Sequence, residues 1–406
     1  MSTLGRLLPV RQVFTIVTIL FFASKAEALS PKAYVGNFKD NTVSVIDTTT
    51  RALVATIPVA PGPHGMTISP DGARLYVSSD GASIVSVIDT ATDRVVKTID
   101  VGKSPHGVTL VPGMDLLLVA VNGEDKIAFV DTAKQVVIAS VGVGKPHTIG
   151  VRPDGKKAYI TSQVPGHFAV AVIDIEKRAV DHLIALDKTP RDLEFANDGQ
   201  EVYFTEAGVN AIEVFDPKAD KIVAEIPTGV SPHYVGRLRN TMYGMAIVQG
   251  PGELFLFDPK TNKPVRSIKV GAQPHWLALS GDGKTAYVTN EGADTVSIVN
   301  VETGGSETVV VGKQPRKIVV QKFAEGAKVT IVNFAFVPPV VTIAAGSDVS
   351  WSNADGGPHE VTFKNGSTGS DTLFPGKMYR KIFEQPGSYE YYCGIHNYMT
   401  GRVDVL

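Results

Sequence analysis

Over residues 31–321 a proline followed by histidine or arginine returns seven times, spaced 41 to 44 residues apart: Pro63-His64, Pro105-His106, Pro146-His147, Pro190-Arg191, Pro232-His233, Pro274-His275 and Pro315-Arg316. A fixed period of that length marks a repeat architecture, in which each copy buries its faces only against its neighbours. The second copy shows the content of one unit. A short strand leads into the turn Ser69-Pro70-Asp71-Gly72, and Leu75-Tyr76-Val77-Ser78 follows. Two more strands, Ser86-Val87-Ile88-Asp89 and Val95-Val96-Lys97-Thr98-Ile99, complete it. Asp-Gly turns between alternating apolar runs signal hairpins. Four short strands per forty-odd residues make one propeller blade, so the predicted fold class is all-β.

Counting predicts how the ring closes. Seven marked pairs open seven innermost strands, and the three outer strands also occur seven times. The first outer set, from Tyr34-Val35-Gly36-Asn37 through Ile57, lacks an inner strand; the last inner strand, Arg316 to Val320, lacks an outer set. Pairing the two leaves no open sheet edge and predicts a seven-bladed propeller over residues 31–321. Aspartates at strand ends (Asp47, Asp89, Asp131, Asp174, Asp216, Asp258) read as turn caps. The array resembles the YVTN propeller family, with Tyr287-Val288-Thr289-Asn290 as the namesake tetrapeptide and degenerate copies at Tyr34, Tyr76 and Tyr159. That resemblance implies a fold and leaves function open.

The marked pairs begin the inner strands, so His64, His106, His147, Arg191, His233, His275 and Arg316 should face one mouth of the channel. Loop residues Asn37, Asp80, Asn122, Gln163, Glu206, Gln249 and Glu291 end on the same face. Three readings are open: a residue copied by duplication and hydrogen-bonded to neighbouring loops; an anion or small-ligand site; or a polynuclear metal site. His167 and His182 fall off the repeat register and read as surface or blade-packing residues.

Beyond the array, the only cysteine sits in Cys393-Gly394-Ile395-His396-Asn397-Tyr398-Met399, with Pro358-His359 upstream. One thiolate, two imidazoles and a thioether are the donor set of a mononuclear blue-copper site. Gly387–Cys393 alternates aromatics as a strand into a tight loop, and Gly401–Val405 reads as a closing strand. Residues 328–406 resemble the cupredoxin family, most closely the amicyanin and pseudoazurin group, through Phe336-Val337-Pro338, Gly346, Trp351-Ser352-Asn353, Pro358-His359, Pro375-Gly376 and the Cys393 loop. The resemblance implies a Greek-key β-sandwich and one type 1 copper on His359, Cys393, His396 and Met399. Glu360 departs from the family, many members of which have a neutral Asn there whose side chain ties the two ligand loops together. The acid either lies beside the copper, favouring its oxidised state, or turns out to solvent.

Histidines converging on a propeller axis ahead of such a domain are similar to nitrous oxide reductase. The chain departs from it twice: a two-copper centre needs two cysteines, and two ring positions are arginine, which does not deprotonate to ligate. The expected function is therefore a copper electron carrier with the propeller as a docking or ligand-binding platform. The alternative is a nitrous-oxide-reductase-like propeller oxidoreductase with a second metal or oxyanion site at the ring. Enzyme status stays open between the two.

Composition bounds the rest. A net charge of −2 over 406 residues points to neither nucleic acid nor an anionic membrane as partner. Arg6 and Arg11, an apolar run from Val13 to Ala23 and Ala26-Glu27-Ala28 read as a secretory signal over residues 1–28. The run is short for a stable membrane span. These features predict a periplasmic or secreted protein. The chain carries no Gly-rich phosphate loop, nucleophile elbow or Cys-x-x-Cys-His haem motif. Residues 322–327 read as a short linker leaving the propeller on the face away from the ring. The expected partner is a redox protein, a cytochrome or other carrier; a head-to-tail homodimer would bring the copper of one subunit near the ring of the next.

Overall fold

The computed structural model describes residues 31–196, 198–236, 242–321, 327–343, 347–383 and 387–405. The signal expected over residues 1–28 lies outside the described residues, as do residues 322–326 of the expected linker. The described chain forms nine four-stranded sheets, seven of which are propeller blades.

The first blade is built from both ends of the array. Strands Lys32–Asn37, Thr42–Asp47 and Leu53–Pro58 follow one another, and Pro315–Val320 supplies the inner strand. Val35 pairs with Ile318 and Tyr34 with Val319 in antiparallel register. The other six blades run from inner to outer strand in chain order, beginning at Pro63, Pro105, Pro146, Pro190, Pro232 and Pro274. Consecutive inner strands pack side by side around the axis, the last against the first. The second and third strands of each blade are buried on both faces between neighbouring blades, while the outermost strands are largely exposed. The aspartates cap turns as expected: Asp89 Oδ1 accepts from the amides of Ala91 and Thr92, and Asp216 Oδ1 from Lys218.

Each inner strand starts with a backbone device absent from the sequence pattern. The residue before the proline is left-handed in most blades: Gly62, Ser104, Lys145, Ser231, Gln273 and Gln314 have φ of 68°, 50°, 40°, 65°, 46° and 51°. The pairing register then slips by one residue just past the proline, as between Pro63 and Met66 or Pro190 and Asp192. Such a bulge re-aims the side chain at its centre, and here that side chain is the histidine or arginine of the marked pair.

The two remaining sheets form a sandwich. One runs Ala335–Val337, Ala327–Val332, Ser347–Asn353, Met378–Phe383; the other runs Val340–Ile343, Thr400–Val405, Gly387–Tyr392, Thr362–Phe363. Ala327–Val332 pairs parallel with Ser347–Asn353, and Val340–Ile343 parallel with Thr400–Val405. Trp351, fully buried, packs edge-on against Tyr391 with ring centres 5.3 Å apart, and Phe336 meets Tyr391 at 4.9 Å. Among the described residues no helix is long and apolar enough to cross a membrane.

Candidate metal centre

Cys393, His359 and His396 converge at one end of the sandwich. Cys393 follows the strand Gly387–Tyr392, and its amide donates to Met399 O at 3.0 Å while Met399 N donates to His396 O at 2.9 Å. These bonds fold Cys393 to Met399 into a closed loop and bury Met399. His359 enters from the other side, exchanging backbone hydrogen bonds with Leu373 at 3.1 and 2.7 Å. Asn353 braces that segment: its side-chain amide donates to Gly357 O at 2.8 Å and Leu373 O at 2.7 Å.

His359 Nδ1 and His396 Nδ1 each lie 3.7 Å from Cys393 Sγ. The sulfur also accepts from the backbone amides of Glu360 and His396, both at 3.4 Å. Cys393 and His359 are wholly buried and His396 is half-buried. The far nitrogen of His359, Nε2, is 3.0 Å from Asp355 Oδ2. Burial alone would raise the Asp355 carboxyl, yet the amides of Phe334 and Asn333, at 2.9 and 2.6 Å, hold it below its usual value. The Phe334 ring stands edge-on to both imidazoles, 5.5 Å from His359 and 5.0 Å from His396. Neither Asp355 nor Phe334 was expected from the sequence. Each acts through the Asn333-Phe334 turn meeting the Asp355 loop, a contact between neighbouring parallel strands that no local spacing announces.

Glu360 is half-buried between the ligand loops. Its Oε1 accepts from Thr372 Oγ1 at 2.8 Å, and its Oε2 lies where a Cβ on Gly394 would be, 2.3 Å from that position. The acid spans the two ligand loops and the 372 segment, and its own backbone amide donates to Cys393 Sγ.

The propeller gathers its seven marked side chains at one mouth, in unequal groups. His64 stacks on His106 with ring centres 4.5 Å apart; His147 stands edge-on to both at 5.6 and 5.2 Å. His233 and His275 form a separate pair at 4.2 Å. Arg191 donates to Ser231 Oγ at 2.7 Å, and Arg316 pairs with Glu291 at 3.1 Å while lying over the Phe38 ring at 3.7 Å. Asp80 Oδ1 lies 2.9 Å from His106 Nε2, Asn122 donates to Pro146 O and Gln163 to Pro190 O. Asn37 turns away to Thr42 and Ser44, and Glu206 to Glu213. Burial first, then neighbouring cations, lowers His147 and His233 to about 3 and carries His64 and His275 well below the usual histidine range. His167 is exposed, and His182 is a surface residue facing Asp181 and Asp220.

Both halves have relatives. Residues 21–115 match the family described as YNCE-like beta-propeller, and residues 312–405 match the one described as Cupredoxin-like domain. Amicyanin of Paracoccus versutus is 40% identical over 88 residues, which span 20% of this chain and 66% of that protein. Amicyanin-alpha of Methylorubrum extorquens is 37% identical over 87 residues, covering 73% of its length, and plastocyanin of Cucumis sativus 32% over 88 residues, covering 89%. Hydrazine synthase of Kuenenia stuttgartiensis superposes with a TM-score of 0.62 over 70% of this chain and 99% of that one, at 21% identity. Apo AztD from Citrobacter koseri gives 0.53 over 72% and 98%, at 16% identity. At those identities the likeness is one of fold. The chain belongs to the cupredoxin family, of the amicyanin and plastocyanin kind, through its C-terminal sandwich, and carries that sandwich behind a YNCE-like β-propeller.

Proposed function

We propose that this chain is an electron-transfer protein with one type 1 copper held by His359, Cys393, His396 and Met399. The observation that carries this is the equal 3.7 Å spacing of the two Nδ1 atoms from Cys393 Sγ. Metal bonds of about 2.1 Å to nitrogen and 2.3 Å to sulfur, opened at a trigonal angle, separate the two donors by about 3.8 Å. The donors stand at about that separation. Copper there supplies a one-electron couple, and the chain's own residues do the rest.

Two backbone amides aimed at Cys393 Sγ stabilise the thiolate and limit how far it can move. Asp355 sets a carboxylate oxygen 3.0 Å from His359 Nε2, and the Asn353 bonds hold the loop that carries that histidine. A donor set held this way changes little between oxidation states, which keeps electron transfer fast. His396 is the half-buried ligand, and Phe334, Ile395 and Tyr398 around it are 48%, 44% and 68% exposed. That apolar rim fits transient docking of a redox protein, a cytochrome or another carrier, with electrons passing through His396. The propeller serves as the platform that orients the partner, and residues 1–28 direct the chain to the periplasm or beyond.

Visible spectroscopy of the purified copper-loaded chain tests the proposal. An intense thiolate-to-copper band, abolished in Cys393→Ser, is the expected result. A copper-loaded chain without that band overturns it.

A further inference from the structure

We propose that His64, His106 and His147 form a second metal site, for a divalent first-row transition ion such as Zn2+ or Cu2+, at the mouth of the propeller channel. The inference stands apart from the copper of the sandwich and would survive its failure.

The three imidazoles come from three consecutive blades. Each offers one nitrogen, and these nitrogens all lie within 4.8 Å of one another. A shared ion with bonds of about 2.1 Å needs nitrogens roughly 3.5 Å apart. The difference is about an ångström, within reach of small side-chain rotations. Imidazole suits zinc and divalent copper, and three histidines leave a fourth position open.

The backbone on this side of the mouth differs from that under the His233/His275 pair. Glycine follows the histidine in two of the blades. A Cβ on Gly65 would sit 2.2 Å from His106 O, and one on Gly107 would sit 2.5 Å from His147 O. A side chain at either position would collide with the carbonyl of the next inner strand, so glycine sets how closely these three strands lie. The next blades carry Thr148, Asp192, Tyr234, Trp276 and Lys317 at that position. On that side Tyr234 and Trp276 touch at 4.3 Å, and Lys317 Nζ lies 3.1 Å above the Trp276 ring.

His106 carries a metal-site arrangement of its own. Its Nε2 faces Asp80, which leaves its Nδ1 buried and without a hydrogen bond. Ligating histidines are commonly oriented by a carboxylate on the far nitrogen. The cations that would make the mouth an anion clamp are engaged elsewhere: Arg191 with Ser231 and the Pro232 carbonyl, Arg316 with Glu291 and Phe38.

The test uses the full chain carrying Cys393→Ser, which removes the thiolate of the sandwich. Titration with Zn2+, and separately with Cu2+, is followed by calorimetry and by metal analysis after gel filtration. One equivalent should bind. His106→Ala/His147→Ala should weaken it at least 100-fold, and Asp80→Asn about 10–100-fold. The pair substitution His233→Ala/His275→Ala should leave it unchanged. With Cu2+ the electron paramagnetic resonance spectrum should show a wide hyperfine splitting with imidazole nitrogen couplings. Absence of bound metal in a chain whose circular dichroism is intact overturns the site. So does metal retained undiminished by His106→Ala/His147→Ala.

Discussion

Gln321 Oε1 accepts a hydrogen bond from Lys32 N at 3.3 Å, across 289 residues of sequence. The same side-chain amide donates to Gly72 O at 2.9 Å and Thr90 Oγ1 at 3.3 Å in the second blade. The last residue of the array thus ties the closing blade to the next one. It does so at the end of the strands occupied by the Ser69–Gly72 turn, opposite the histidine mouth. Gln321→Ala removes these bonds and leaves buried partners unsatisfied, which should cost about 1–3 kcal/mol. Urea unfolding would read it, with exposed Gln200→Ala as the comparison. An equal midpoint for the two variants would show that strand pairing alone closes the ring.

The fifth blade holds a buried acid pair where other blades hold neutral groups. Asn37 donates to Ser44 at 2.8 Å and Asn290 to Ser297 at 2.9 Å; the same two positions are Glu206 and Glu213. Burial raises Glu213 to about 8, the neighbouring Glu206 adds to the rise, and burial raises Glu206 as well. The folded chain keeps a proton that the unfolded chain releases above its ordinary value near 4.5. The stability from this group is therefore present below that pH and lost as pH rises towards 8. Glu213→Gln should leave stability at pH 4 nearly unchanged and raise it by about 1–2 kcal/mol at pH 8. Thermal midpoints of both proteins at the two pH values would decide; an identical shift at both would mean packing, not charge, is responsible.

Asp355 should govern how tightly the sandwich holds its ion. It reaches His359 Nε2 with one oxygen, and both its oxygens are anchored by the amides of Asn333 and Phe334. Asp355→Asn forces one of those amides against an NH2 group and weakens the hold on the ring. Copper affinity, measured by competition with a chelator, should fall about 10–100-fold. Surface Asp404→Asn, paired with Arg402 on a strand, should bind copper as the unaltered chain does.

What the sequence shows and hides follows from where each signal is stored. The blade count and the two-ended closure are legible because each repeat writes its own Pro-His or Pro-Arg start and, in six of seven, an Asp turn locally. The cysteine, one histidine and the methionine are legible because one loop carries all three. The triplet at the propeller mouth is not, since a Pro-His mark looks the same in blades two, three, four, six and seven. Its separation from the His233/His275 pair goes with the Cβ-free approach at Gly65 and Gly107. The Pro-His-Gly triplets at 63–65 and 105–107 are the signal that could have revealed it. Glu360 illustrates the same limit: its neighbours in sequence say nothing of Thr372 or Gly394.

That placement makes Glu360 a tuning charge as well as a brace. Its carboxylate is held at Thr372 Oγ1 and against Gly394, while its amide donates to Cys393 Sγ. A negative charge there favours the more positive, oxidised copper and lowers the reduction potential. Glu360→Gln keeps an oxygen for Thr372 and removes the charge. The potential should rise by some tens of millivolts, roughly the effect of one unit charge at the edge of a partly solvated site. Protein-film voltammetry measures it directly, and the visible band should stay in place because the thiolate bond is untouched. A falling potential would contradict the assignment, and a shifted band would show that the brace, rather than the charge, had been broken.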